Sequence, residues 1–74
     1  MNKERRTKIT KIIKEIEQVK NKLQDVLSEE ENVFDNMPEN LQCSMRGEES
    51  EESIDYMNEA VDALDNAIEQ LEGI

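Results

Sequence analysis

The sequence predicts an all-α protein: an antiparallel two-helix hairpin that dimerises into a four-helix bundle. Three observations lead there. Apolar residues recur with helical period along two long segments. The stretch between them holds the chain's only proline and one of its two glycines. With 74 residues, 35% of them apolar, the chain is one domain, residues 1–74. A chain of this size buries only about 60% of its unfolded surface, so its core is thin.

The first helix is expected near residues 4–36. With Ile9 as heptad position a, Ile16, Leu23, Glu30 and Met37 share that column, Ile12, Val19, Val26 and Val33 stand at d, and Ile13, Leu27 and Phe34 stand at e. This stripe is wider than a two-column seam, and three apolar positions per heptad suit a bundle. Glu30 is the misfit, a carboxylate in the seam. It is expected to reach outward or to pair with Arg46.

The connection is expected near residues 37–49. The residue before a proline avoids helical backbone, so Met37-Pro38 stops the first helix. Pro38 is expected to open a short turn of helix over 38–42, and Arg46-Gly47 to form the reversal. Ser50 is then the expected N-cap of a second helix near 50–72, with Glu51 and Glu52 in its first turn and Gly73 just past its end. That helix has Ile54, Val61 and Ile68 at a, Met57, Leu64 and Leu71 at d, and Ala60, Ala67 and Ile74 at g.

A short connection forces the helices antiparallel. Folding about the middle opposes Val33 with Ile54, Val26 with Val61, Leu23 with Leu64 and Val19 with Ile68, and leaves residues 1–10 overhanging. It also brings Lys14, Lys20 and Lys22 near Asp65, Glu69 and Glu72. A lone hairpin would leave Ile13, Leu27, Phe34, Ala60 and Ala67 wet, so these five are the expected dimer core.

Charge is unevenly spread. Residues 1–28 hold eight bases and four acids, whereas residues 29–74 hold fifteen acids and only Arg46 as a base. Pairing of the two halves explains the basic stretch. Direct nucleic-acid binding is not expected, because the acidic helix would repel phosphates. The chain has no His and one Cys, which removes His-based acid–base catalysis and Cys/His metal sites within one chain. Carboxylate pairs need a cleft that a hairpin lacks, and the acidic runs miss the alternating spacing of a calcium loop. No enzyme, cofactor or metal site is expected. Cys43 is expected to be an inert free thiol. The absence of an apolar span or an export-like amino terminus gives a cytoplasmic expectation, with no membrane partner.

What remains is the acidic second half. Glu48, Glu49, Glu51, Glu52, Asp55, Glu59, Asp62, Asp65 and Glu69 are the candidate partner-binding residues, presenting negative charge every turn or two to a protein with a basic surface. The alternative is a structural or assembly component whose role is the bundle itself. A lesser one is a sponge for a small nucleotide, held by the overhanging Arg5, Arg6 and Lys8.

The run Asn36-Met37-Pro38-Glu39-Asn40-Leu41-Gln42, with Ser44, Arg46-Gly47-Glu48 and the Ala-Ile/Val-x-x-Leu repeats of the second helix, resembles small acidic helical proteins encoded by phages and mobile elements of Gram-positive bacteria. The resemblance covers roughly residues 30–74 and transfers no functional residue. It implies an accessory protein that acts by binding a host factor, including components of antiviral defence.

Overall fold

The computed structural model describes all 74 residues as three helices without strands: α1 (Lys3–Asp35), α2 (Glu39–Gln42) and α3 (Met45–Glu72). α1 and α3 lie antiparallel in a rod of 58 × 15 × 12 Å, and α2 closes one end.

α1 begins one residue earlier than its apolar pattern suggests. The side chain of Asn2 accepts from the Arg5 backbone N–H at 2.9 Å, satisfying one of the donors a helix start leaves orphaned. At the far end Asn36 caps the helix, and its side-chain amide donates to the Asn32 carbonyl. The turn expected after Pro38 is present as α2, with Pro38 itself the capping residue rather than the first helical one. The Gln42 side chain donates to the Phe34 carbonyl at 3.0 Å, which ties the end of α2 back to the end of α1.

The second long helix starts five residues earlier than expected. Ser44 is its N-cap, and Arg46-Gly47 is no reversal but part of the first turn of α3. Gly47 has no positive φ; it is small for another reason. A Cβ at this position would lie 2.5 Å from the Leu41 carbonyl oxygen and the same distance from the Gln42 carbonyl carbon. The glycine therefore lets the first turn of α3 rest directly on the backbone of α2. Ser50 follows one turn on, buried inside the helix rather than capping it. Gly73 caps α3 with right-handed backbone, so its left-handed freedom is not used.

The hairpin packs through columns a and e of α1, not a and d. Leu27 at e is buried with Val61 and Ile68 of α3, and Ile13 and Phe34, also at e, are half-buried. The d column is left outside: Ile12, Val19, Val26 and Val33 are 44–54% exposed. The expected pairs Val33 with Ile54, Val26 with Val61 and Val19 with Ile68 placed these valines in the seam, whereas they stand half-exposed at its edge. The expectation that Ile13, Leu27 and Phe34 stay wet in a single hairpin is overturned. Side-chain size accounts for the choice. Leu27 and Phe34 at e each remove more apolar surface from water than their neighbours Val26 and Val33 at d, at about 25 cal/mol per Å², and Lys20, also at e, reaches Asp65 from the seam edge.

Gly47→Ala tests the close seat of α3 on α2. Alanine would normally favour a helix interior by about 1 kcal/mol. Here overpacking against backbone outweighs that gain, and a net loss of roughly 1–3 kcal/mol is expected. Urea unfolding followed by circular dichroism reads it; an equal or raised midpoint would show that the contact does not constrain the fold.

Candidate interaction surfaces

The seam holds one polar pair. Glu30, at position a of α1, neither reaches into solvent nor meets Arg46; it accepts a hydrogen bond from the Ser50 hydroxyl at 2.7 Å. Ser50 is only 5% exposed and Glu30 is half-buried. The small residues Gly47 and Ser50 share one face of α3 and let that end approach closely enough for the bond to form. Pairing satisfies the carboxylate, so no buried side-chain polar atom lacks a partner.

All nine candidate acids are exposed, but they do not form one face. Glu48, Asp55, Asp62 and Glu69 run straight along α3 at seven-residue spacing, with Glu52 and Glu59 in the adjoining column. Glu49 lies on the other side, sharing a groove with Arg46, Ser53 and Val33. Asp65 is the member that meets a base, accepting from the Lys20 ammonium at 2.6 Å. Lys14 and Lys22 make no ion pair with Glu69 or Glu72, and the chain's one other ion pair is Glu4 with Lys8 along α1.

A groove near the closed end adds acids that sequence reasoning missed. Glu31 and Asp35 of α1 face Glu51 and Asp55 of α3 across a floor of Phe34 and Ile54. The signal existed in the sequence, since Glu31 and Asp35 stand four residues apart on one helix face. Their meeting with Glu51 and Asp55 depended on α1 turning its e column inward.

At the open end a second groove is lined by Arg6, Ile13, Lys14, Glu17, Leu71 and Glu72, among others. Of the overhanging bases Arg5, Arg6 and Lys8, only Arg6 lines it. Two carboxylates stand beside its two cations, a poor setting for a nucleotide phosphate. Cys43 is exposed and unpaired. No helix is long and apolar enough to cross a membrane.

The fold thus defines a helical-hairpin protein with two contrasting long surfaces: acids along the back of α3 and apolar residues along one side of α1. Compared with protein families, curated proteins and solved structures, the chain finds no match.

The seam pair can be tested by removing one partner and then both. Ser50→Ala leaves Glu30 without its donor and should cost about 1.5–3 kcal/mol in urea unfolding, as expected for a hydrogen bond to a charged group. Glu30→Leu combined with Ser50→Ala should recover that loss or exceed it, because an apolar pair of similar volume carries no desolvation cost. A double variant weaker than Ser50→Ala alone would contradict this account.

Proposed function

We propose that the protein is a non-enzymatic binding module, dimeric in its working form, that docks a basic surface of another protein. The groove in which Glu31, Asp35, Glu51 and Asp55 surround Phe34 and Ile54 carries this reading. A lysine or arginine entering it lays its methylene stem on the apolar floor while its charged head meets carboxylates from both helices. The acids on the outward side of α3 extend the same field along the rod and steer a basic partner to it. The resemblance to phage and mobile-element proteins points to a host protein as the target. The protein then acts as an inhibitor or modulator, of a defence component among others, in the host cytoplasm.

A second reading is favoured by the exposed d column of α1: a structural or assembly component whose role is the helical bundle. The two differ in what they require. Docking needs the acids; assembly needs the apolar stripe.

Reversing Asp55, Glu59, Asp62 and Glu69 to Lys together moves the net charge from −10 to −2 without touching a buried position. Affinity capture from nuclease-treated bacterial lysate should yield a stoichiometric partner with the natural chain and none with the variant, while circular dichroism stays unchanged. Glu31→Lys with Glu51→Lys should also lose the partner, and capture should weaken as salt rises. Undiminished capture by both variants would reject the acidic surface as the binding site.

A further inference from the structure

One side of the hairpin is apolar along most of its length. Val33 shares a groove with Ser53, and stepping seven residues along each helix sets Val26 beside Ala60 and Val19 beside Ala67. The α1 side of this face, from Ile12 to Val33, runs about 31 Å. Resting on the dimeric form proposed above, we propose that a second copy of this chain covers this face. In that dimer α1 is stacked antiparallel on α1 of the partner subunit about a two-fold axis at Val19.

Surface area supports a second copy. The chain exposes 5825 Å², whereas a compact monomer of 8.6 kDa exposes about 4,700 Å² by the usual scaling with mass. The excess, about 1,100 Å², comes from the 58 × 15 × 12 Å rod shape, and it leaves more surface to cover than the roughly 800 Å² each partner contributes to a standard interface.

Charge selects the arrangement. Beside the d column, on its solvent edge, lies column g of α1: Lys8, Glu15, Lys22 and Glu29, with signs that alternate. In antiparallel helices related by a two-fold axis, g meets g. An axis at Val19 sets Lys8 against Glu29 of the partner subunit and Glu15 against Lys22 of the partner subunit, and symmetry repeats both. All four contacts are then attractive. The same axis puts Ile12 on Val26 of the partner subunit, and Val19 on its own copy. Val19 is also the midpoint of α1, Lys3–Asp35, so the two helices overlap fully and the overhanging amino ends are covered. The competing stack of α1 on α3 of the other copy would set column g against Glu49, Tyr56, Ala63 and Gln70, which offers none of these pairs.

The test uses the full chain with Cys43→Ser, so that added thiols are the only ones. Val19→Cys should oxidise to a disulfide-linked dimer, because residue 19 faces itself across the axis. Lys14→Cys, on the opposite side of α1, should not link under the same conditions. In the natural chain, Lys22→Glu or Glu15→Lys turns two attractive contacts repulsive and should raise the dimer Kd by about tenfold. Combining the two should restore it. Sedimentation equilibrium reads both, and all these positions are exposed, so the fold is spared. A monomer at micromolar concentration would overturn the dimeric form and this interface together. A dimer that neither cross-links through Val19→Cys nor shows charge rescue would overturn the interface alone, leaving the dimeric form standing.

Discussion

The seat of Gly47 on the Leu41 and Gln42 carbonyls is the constraint from which the rest of the hairpin follows. It allows α3 to begin at Met45, directly after α2, instead of beyond a loose loop. Starting there, α3 presents Ser50 to Glu30 and then Val61 and Ile68 to the α1 stripe. The Gln42 amide on the Phe34 carbonyl anchors the other side of the same corner. A backbone-to-backbone contact leaves little freedom to slide, so the corner sets the register of the long helices.

Azimuth matters because the apolar stripe of α1 is broader than one partner helix can cover. Columns a, d and e span about 100° of the helix, and α3 takes a and e. The buried apolar side chains are correspondingly few: Leu27, Val61 and Ile68, with no side chain completely shielded. Such a core is thin for 74 residues, and the uncovered d column is its direct consequence. A protein built this way has apolar surface left over by geometry, and its net charge of −10 keeps that surface in solution.

The two surfaces lie on different sides of the rod, which permits them to serve different contacts. Valines, alanines and an alternating charge column occupy one side, while the acids of α3 and the groove around Phe34 and Ile54 occupy others. A self-association surface and a partner surface do not compete when they are separated in this way. The basic amino half contributes Lys20 to the seam edge, where it holds Asp65.

Periodicity determined that the chain has two long helices, Pro38 that they are interrupted, and the short connection that they run antiparallel. The sequence also determined the wide stripe on α1, the acidic character of α3 and the oddity of Glu30, since these are properties of residue type and spacing. Only the tertiary structure decided where α3 starts, because Gly47 serves close approach rather than a turn, and both roles look alike in sequence. It also decided that Ser50 is buried against Glu30 rather than capping a helix. The choice between columns d and e was likewise out of reach of the sequence. A 3.6-residue repeat specifies a face to within about one column, and what resolves it is how bulky Leu27 and Phe34 fit the partner helix.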